Sequence, residues 1–503
     1  MKTRIRIDVG AVISPIDDRI YGSFIEHMGR AIYTGIFEPG HETADEYGFR
    51  RDVMDLIRPL GLAQIRYPGG NFLSGYNWRD GVGPRGGRPV RMDAAWFALE
   101  PNLVGTDEFL QYCERLGTTA MMGVNLGTGS PAEAAALLEY VNGVLPTAYA
   151  DMRRANGREL PYGVKLWCLG NEMDGPWQIC AKTAEEYSRA ACETAKLMKW
   201  IDPDIELVAC GSSYRAMPTY GDWEKEVLRH CYPHIDYLSL HQYYENNDDD
   251  IPAFLARSIE MEEFIREVAG YCAEAKKGQS ADNDVYLSFD EWNVWYHFRK
   301  SGKEPPLWTV GRPIEEETYD GADALLVGLM LNTLMRNSDV VKIACLAQLV
   351  NVIAPIMTEP GGGVRVQPIY HPFLHASRHG RGEALRSDVT GDTYDCAVRR
   401  DVPYVDCAAV RHADGEIVLF LINRDMANGH PCDIQIAGQT PDAAVRAEII
   451  EWLSMTGSGS ANGQPEQMDT RLSQSGSQPN GNGMLTITLP AFSWNMLRLA
   501  SSK

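Results

Sequence analysis

Two glutamates follow apolar, strand-like segments, where a solvated carboxylate is not expected. Glu172 ends the segment KLWCLGNE (165–172), and Glu291 lies next to the end of VYLSFDEW (285–292). Two carboxyl groups facing each other across one mouth are what glycosidic-bond cleavage requires, because one protonates the leaving oxygen while the other attacks the anomeric carbon or activates water. The two tasks need different pKa values, which different surroundings can supply. The alternative is that each glutamate is the structural ion-pair partner of an arginine.

Several side chains near these glutamates are candidates for sugar binding. Asn171 could bond a hydroxyl next to the anomeric carbon, in a contact that strengthens in the transition state; alternatively, it is a turn residue that closes the strand. Tyr243 could hydrogen-bond the nucleophile or fill a core. His241 and His27 could be metal ligands, but no third ligand occurs at suitable spacing, and hydrogen-bonded core histidines are more frequent. We therefore expect no metal.

Short apolar segments alternate with helical patterns up to about residue 380. The strand-like segments are 20–28, 63–70, 119–127, 165–172, 205–212, 237–244, 285–292 and 343–350. Eight parallel βα units predict a (β/α)8 TIM barrel, since eight strands close a barrel whose interior side chains just fill. A doubly wound open sheet is the alternative, but no Gly-rich phosphate turn follows the first strand.

In a TIM barrel the reactive side chains extend from the C-terminal ends of the strands. The residues at those ends are Glu26, His27, Arg66, Asn71, Asn171, Glu172, His241, Tyr243, Glu291 and Gln348. A Schiff-base aldolase would need a lysine there, whereas Lys165 and Lys342 lie at strand starts. A non-catalytic sugar-binding protein would be expected to lack one carboxylate, and both are present.

The remainder of the chain predicts a second domain. After about residue 380 the sequence reads as strands separated by turns, which is typical of an antiparallel β-sandwich. The segment 456–483 is rich in Gly, Ser, Asn and Gln and predicts a long flexible hairpin loop. The N-terminal strand has no place in the barrel, so we expect 1–18 to join the sandwich, 19–380 to form the barrel and 381–503 the sandwich.

Composition limits the partners and the compartment. The 503 residues include 47 basic and 68 acidic ones, for a formal net charge of −21. An acidic surface repels phosphate backbones, so nucleic acid and anionic membranes are not expected as partners. We find neither an 18-residue apolar stretch nor a signal-peptide core. The 11 cysteines are scattered without a CxxC pair, which favours reduced thiols in a cytoplasm.

Several long sequence motifs indicate a resemblance to a known protein family. The chain resembles the family 51 glycoside hydrolases, the intracellular α-L-arabinofuranosidases. The segments that carry this resemblance are YGSFIEHMGRAIYTGIFEPG (21–40), RYPGGNFLSGYNWRDGVGP (66–84), WCLGNEMDGPWQ (167–178), LSLHQYY (238–244), LSFDEWNVWY (287–296) and KIACLAQLVNVIAPI (342–356). The resemblance implies a TIM barrel with a C-terminal, jelly-roll-like β-sandwich, and no cofactor or required metal.

The resemblance also implies an activity and residue roles. It implies a retaining, exo-acting enzyme that releases terminal non-reducing α-L-arabinofuranosyl residues from oligo- or polysaccharides, and a homo-oligomer, often a hexamer. Glu172 matches the acid/base and Glu291 the nucleophile. The implied substrate-binding residues are Glu26, Asn71, Asn171, Tyr243, Gln348, Arg66, Trp96 and Trp295. An endo-acting glucanase of the same family is the alternative, and specificity beyond the first sugar stays open because 299–318 matches no motif.

Overall fold

The computed structural model describes residues 2–279, 282–297, 305–438, 447–456 and 484–501. The strands are β1 (Thr3–Pro15), β2 (Gly22–Phe24), β3 (Gln64–Tyr67), β4 (Arg91–Asp93), β5 (Ala98–Glu100), β6 (Thr119–Val124), β7 (Leu166–Leu169), β8 (Glu206–Ala209), β9 (Tyr237–Tyr244), β10 (Tyr286–Val294), β11 (Val341–Leu346), β12 (Ile356–Thr358), β13 (Val364–Val366), β14 (Glu383–Thr390), β15 (Thr393–Tyr394), β16 (Val402–Pro403), β17 (Val405–Arg411), β18 (Ile417–Asn423), β19 (His430–Ala437), β20 (Ala447–Thr456), β21 (Met484–Leu489) and β22 (Ser493–Ser501).

The α-helices connect most of these strands. They are α1 (Arg51–Ile57), α2 (Thr106–Leu116), α3 (Pro131–Asn142), α4 (Ala148–Ala155), α5 (Ala184–Ile201), α6 (Asp222–Cys231), α7 (Ile251–Gln279), α8 (Gly321–Arg336) and α9 (Tyr370–His379). Among the described helices, none is both long and apolar enough to cross a membrane.

A closed parallel barrel forms the larger part of the molecule. Its strand order is β2-β3-β6-β7-β8-β9-β10-β11, with β11 returning to β2. Each of the eight predicted segments overlaps one of these strands, so the TIM-barrel prediction is confirmed. Apolar side chains fill the interior, among them Phe24, Met121, Leu166, Val208 and Ile343. These apolar side chains pack the barrel interior, and polar groups gather at the C-terminal mouth.

The second sheet has eight strands in the order β20-β22-β18-β17-β14-β1-β19-β21. All its strands contribute to one apolar core, which includes Ile7 of β1, Leu419 of β18 and Ile487 of β21. One pair differs from the predicted antiparallel pattern, because β1 runs parallel to β19. β1 reaches the sheet from the N-terminus rather than through a hairpin, so no short turn imposes an antiparallel direction on it. The predicted hairpin loop lies outside the described residues from 457 onward.

Helix α8 packs between the barrel and the second sheet. This position explains why its sequence is apolar on nearly all sides. It is buried on all sides because it packs between barrel strand β10 and the second sheet. A Cβ on Gly328 would lie 2.6 Å from the Trp494 ring, so only glycine permits this close approach. Asn332 and Arg336 both donate hydrogen bonds to Asp406, at 2.7 and 2.9 Å. These contacts fix the second sheet against the outside of the barrel, away from its mouth.

Candidate active site

A cavity of about 620 Å³ opens at the C-terminal mouth of the barrel. Among the residues singled out from the sequence, its wall includes Glu26, Asn71, Trp96, Glu172, Tyr243, Glu291, Trp295 and Gln348. Arg66 and Asn171 lie immediately behind this wall, since both belong to the hydrogen-bond network of Glu291 described below. The strand ends and the loops that follow them therefore bring all of these side chains together.

An irregularity in β10 aims two consecutive carboxylates into the barrel. Its pairing with β9 shifts register between Ser288 and Glu291, and its pairing with β11 shifts between Phe289 and Trp292. In a regular strand, neighbouring side chains point to opposite faces. The bulge removes this alternation locally, and Asp290 as well as Glu291 reaches the interior, at 1% and 5% exposure.

Arg66, at 2% exposure, connects the two halves of the site. Its Nη1 donates to Glu291 Oε1 at 2.5 Å, and its Nη2 donates to Asn171 Oδ1 at 2.7 Å. Burial opposes the charge of the guanidinium, but Asp290 and Glu291 hold the pKa of Arg66 well above its usual range. Asn171 Nδ2 is buried and has no hydrogen-bond partner among the described residues. That amide is thus left available to a ligand hydroxyl.

The sequence favours His241 as a hydrogen-bonded core histidine over a metal ligand, and the structure places it in the site, buried and hydrogen-bonded through both ring nitrogens. Its Nδ1 lies 3.0 Å from Glu172 Oε1 and 3.6 Å from Glu291 Oε2, and its Nε2 lies 3.1 Å from Asp290 Oδ1. Burial lowers its pKa, but the Glu291 charge and the bonds to Asp290 and Glu172 outweigh this and raise it to about 10. We therefore assign an imidazolium that donates from both nitrogens.

The same groups raise the question of a metal ion. Glu172, His241 and Glu291 offer ligand atoms that lie within 4.8 Å of one another, a cluster that sequence spacing did not reveal. An imidazolium has no lone pair for a metal, and Arg66 already neutralises part of the carboxylate charge. The donor set is that of an ion-pair network rather than of a metal centre.

Glu172 occupies an unusual backbone position in the loop just after β7. Its φ of 44° lies in the left-handed region, which non-glycine residues adopt at a cost of about 1–3 kcal/mol and mostly at functional sites. Its Oε2 accepts a hydrogen bond of 2.7 Å from Trp177 Nε1. Burial raises the pKa of Glu172 and the charge of Glu291 adds to this, although the bonds from His241 and Trp177 oppose it. A carboxyl group with a raised pKa suits a proton donor.

Glu291 is held from two sides. Arg66 bonds its Oε1, and Tyr243 Oη donates to its Oε2 at 2.8 Å. Burial and the charges of Glu291 and Glu172 raise the pKa of Tyr243, so the phenol remains a donor. Both oxygens of Glu291 are therefore fixed in direction. Such an arrangement directs a defined lone pair of Glu291 toward the cavity.

The inner end of the cavity is built around Glu26. Its Oε1 accepts from Phe72 N at 2.9 Å and from Trp96 Nε1 at 2.8 Å. Its own backbone N donates to Gln348 Oε1 at 2.9 Å. A Cβ on Gly70 would lie 2.4 Å from Glu26 Oε2, so glycine is required there for the loop to pass. Burial raises the pKa of Glu26 to about 8.

An aromatic wall closes one side of the cavity. Trp295 Nε1 donates to Glu315 Oε2 at 2.8 Å, so the described part of the unmatched segment 299–318 supports the site. The Trp295 ring packs edge-on against Tyr243 at 5.1 Å and stacks on His297 at 4.0 Å. These contacts orient the indole toward the cavity.

Several wall residues were not predicted from the sequence. They are Phe24, Met28, Gly70, Trp177, Ser213, Tyr214, Gln242, Glu245, His297 and Ile353. Trp177 stands inside a motif and could have been found there. Tyr214, which stacks on Trp177 at 6.1 Å, follows β8 in a loop without any sequence signal.

Comparison with known proteins agrees with this geometry. Residues 56–258 match the α-L-arabinofuranosidase 1 domain, and residues 290–493 match the α-L-arabinofuranosidase C-terminal domain. The chain is 49% identical to "Intracellular exo-alpha-(1->5)-L-arabinofuranosidase 1" of Bacillus subtilis, over 99% of both chains. It is 41% identical to an "Exo-alpha-(1->6)-L-arabinofuranosidase" of Bifidobacterium longum, covering 99% of this chain and 97% of that protein.

A solved structure shares the whole architecture. It is that of a family 51 α-L-arabinofuranosidase from Bifidobacterium longum, which superposes with a TM-score of 0.90 at 38% identity and with 99% of each chain covered. The identity and coverage in these matches exceed what a shared fold alone requires. The chain therefore belongs to glycoside hydrolase family 51, the α-L-arabinofuranosidases.

Proposed function

We propose that the protein is an exo-acting α-L-arabinofuranosidase that removes terminal non-reducing arabinofuranosyl residues with retention of configuration. The observation that supports the mechanism is the proximity of the two carboxylates, which both approach His241 Nδ1, at 3.0 Å for Glu172 and 3.6 Å for Glu291. An oxygen of Glu172 lies within 4.8 Å of an oxygen of Glu291, an approach that fits the shorter of the two carboxyl separations found in glycosidases. Retaining glycosidases place these groups about 5–5.5 Å apart, whereas inverting ones leave about 6.5–9.5 Å for a water molecule. The substrates are neutral arabinofuranosyl oligosaccharides, and the proposal requires no metal or cofactor.

In the first step Glu291 attacks the anomeric carbon and the bond to the leaving oxygen breaks. Glu172 donates its proton to that oxygen, a role that the raised pKa of its carboxyl group suits. Arg66 and Tyr243 hold the attacking carboxylate in line. The product of this step is a glycosyl ester of Glu291 together with the free leaving alcohol.

In the second step water replaces the leaving alcohol. Glu172, now a carboxylate, takes a proton from the water, whose oxygen attacks the anomeric carbon and releases Glu291. The His241 imidazolium lies 3.0 Å from Glu172 Oε1 and stabilises the carboxylate form at this stage. Two inversions give net retention. The unpartnered Nδ2 of Asn171 is placed to bond the hydroxyl beside the anomeric carbon.

The closed inner end supports exo action. Glu26 and Gln348 are each 2% exposed, and an apolar cluster that includes Met28, Ile353 and Trp295 surrounds them. Such an end suits one terminal sugar rather than the interior of a chain. An endo-acting glucanase needs a cleft open on both sides, so the alternative is not favoured.

Initial rates on paired aryl glycosides test this proposal. We expect hydrolysis of aryl α-L-arabinofuranoside at least about 100-fold faster than of aryl β-glucoside or β-xyloside, since removing well-placed hydrogen bonds to a substrate costs that much. Proton NMR of the first-formed arabinose should show retained configuration. Faster hydrolysis of the β-glucoside, or an inverted first product, would overturn the corresponding part of the proposal.

The proposal also covers the division into domains, the oligomeric state and the cellular location. We divide the chain into 1–18, 19–380 and 381–503, with support from the pairing of β1 with β14 and β19 of the second sheet. A homo-oligomer, a hexamer by family resemblance, is to be tested by light scattering. A cytoplasmic location fits the word "intracellular" in the name of the Bacillus subtilis relative and is to be tested by cell fractionation.

A further inference from the structure

A second cavity of about 310 Å³ adjoins the active-site cavity and plays no part in the chemistry described above. The two cavities share the wall formed by Tyr214, Gln242, Tyr243 and Glu245. The outer wall of the second cavity is formed by Arg215, Arg257 and Glu260, together with Ala216 and Tyr244. A ligand leaving the first cavity over Tyr214 would therefore enter the second.

The direction of the leaving group follows from the position of the acid. The leaving oxygen has to lie within hydrogen-bond reach of Glu172. Glu172 is bonded to Trp177, and Trp177 stacks on Tyr214. The leaving side of the bond thus faces the wall that separates the two cavities, whereas the terminal furanose occupies the opposite end around Glu26.

Two polar side chains that line the second cavity have hydrogen-bond donors or acceptors that no described residue satisfies. Glu245 Oε2 is buried and accepts no hydrogen bond from the described residues, and His297 Nδ1 lies 3.5 Å from it. Arg257 uses only Nη1, which reaches Glu260 Oε1 and Oε2 at 2.8 and 2.9 Å, so the structure as described leaves its Nε and Nη2 without a protein acceptor. Donors and acceptors therefore both face the cavity.

The charges of the residues that line the second cavity indicate which class of ligand it can bind. Arg215 and Arg257 are offset by Glu245 and Glu260, and Arg215 also pairs with Glu263 and Glu267. The site thus offers an acidic ligand no net positive charge. Alternating carboxylate and guanidinium groups instead suit the hydroxyls of a neutral sugar, each of which both donates and accepts.

We infer that the second cavity is a binding site for a neutral sugar residue on the leaving side, one unit beyond the sugar directly attached to the cleaved bond. This deepens the proposed function and rests on it. The enzyme then favours substrates with at least two leaving-side sugars, and Arg257 and Glu260 are specificity-determining residues. The Tyr214 ring forms the surface over which the chain passes.

The test compares chain lengths. We expect kcat/KM of the wild-type enzyme to rise by about fivefold to tenfold from the α-1,5-linked arabinofuranosyl disaccharide to the trisaccharide, the gain of one or two hydrogen bonds. In the double variant Arg257→Met and Glu260→Gln, which keeps side-chain length, this ratio should fall to about one. Arg266→Met serves as the matched control, because Arg266 lies on the same helix α7 and pairs with Asp339 outside both cavities.

The outcomes separate this inference from the proposed function. Hydrolysis of both oligosaccharides at equal kcat/KM by the wild type overturns the second site and leaves the arabinofuranosidase intact. A high ratio that the double variant preserves overturns the assignment to this cavity. Failure of the wild type to hydrolyse any α-L-arabinofuranoside overturns the proposed function first. A double variant that does not fold is replaced by Glu260→Gln alone, for which the ratio should fall at least twofold.

Discussion

Two tryptophans donate almost the same hydrogen bond to two glutamates at opposite ends of the active-site cavity. Trp96 Nε1 lies 2.8 Å from Glu26 Oε1 at the inner end, and Trp177 Nε1 lies 2.7 Å from Glu172 Oε2 at the mouth. Trp96 is half-buried, whereas Trp177 is 42% exposed. The same contact therefore has different consequences: the inner one shapes a binding pocket, and the outer one adjusts the proton affinity of an acid.

The surroundings explain this difference. Glu26 also accepts a backbone hydrogen bond from Phe72, and its own backbone N bonds Gln348, so its position is determined from three directions. At the mouth, Trp177 is held mainly by stacking on Tyr214, which lies in a loop after β8. We expect changes at the inner end to alter binding strongly and changes at the mouth to act through Glu172.

The largest effect is expected from removing Glu291, the proposed nucleophile. Glu291→Ala should lower kcat by about 10⁵-fold, as loss of a nucleophile does, because no glycosyl ester can form. Steady-state rates on aryl α-L-arabinofuranoside measure this. Added azide should then give an arabinosyl azide of inverted configuration.

Glu193→Ala is the control for that variant, since Glu193 is an exposed helix residue paired with Lys196. It should retain wild-type kcat. Near wild-type turnover in Glu291→Ala itself would mean that another group attacks the anomeric carbon.

Glu172→Ala should lower kcat by about 10²–10⁴-fold for a poor leaving group, since general acid catalysis contributes that much. A dinitrophenyl leaving group needs little protonation, so its glycosylation should survive and deglycosylation should limit turnover. Azide needs no base and should restore turnover, with a product of retained configuration. Equal losses on all leaving groups without azide rescue, in a folded variant, would instead assign Glu172 a structural ion-pair role.

Trp96→Phe tests the inner end. It removes one donor from a carboxyl group whose pKa burial already raises to about 8, so the pKa of Glu26 should rise further. We expect kcat/KM to fall by about tenfold to 100-fold, the effect of leaving one buried polar group without its partner. If Trp177→Phe were to cost as much on the same aryl substrate, the proposed difference between the two ends would be wrong.

His241→Gln tests whether His241 carries a positive charge in the folded protein. The measurement is the free energy of unfolding as a function of pH. The pKa of His241 is about 10 in the fold against 6.5 in an unfolded chain. A raised pKa contributes stability that is fully present below about pH 6.5 and is lost as the pH rises through about 10. The free energy of unfolding by urea should therefore differ most between wild type and variant near pH 6, and the difference should shrink toward pH 10.

His230→Gln is the control for this measurement, because His230 lies near the surface on α6 and interacts with Glu226. Its effect on unfolding should be small at every pH. A wild-type advantage over His241→Gln that grows from pH 6 to pH 10 would show that His241 is neutral in the fold.

Much of this architecture could be predicted from the sequence, for a physical reason. Each barrel strand is a short apolar run that ends in a polar residue, because the strand interior is buried on both faces while its C-terminal end opens on the mouth. Glu172 and Glu291 are recognisable on this ground alone. The same logic leads to Tyr243, near the C-terminal end of β9 before the mouth, and to Gln348, just beyond β11.

Other features depend on tertiary contacts that no local pattern encodes. The bulge that turns both Asp290 and Glu291 inward depends on pairing with two neighbouring strands. The charge of His241 follows from carboxylates that are distant in sequence. Tyr214 reaches the cavity only because its loop packs on Trp177. The parallel direction of β1 is likewise set by the sheet it joins.

The smallest predicted effect is at the mouth, in Trp177→Phe. The indole N–H bonds the charged form of Glu172 and thereby lowers its pKa, against the larger raising effect of burial. Phenylalanine keeps the ring that stacks on Tyr214 but cannot donate, so the pKa of Glu172 should rise. The acid form then persists to higher pH, and the alkaline limb of kcat/KM should move upward, because the charged form of Glu172 has lost one hydrogen bond. The pH-independent maximum should fall only a few-fold. Trp200→Phe, at an exposed position on α5, should leave the profile unchanged. A downward shift of the alkaline limb would show that Trp177 stabilises the protonated acid instead, and the contrast between the two tryptophans would then need another cause.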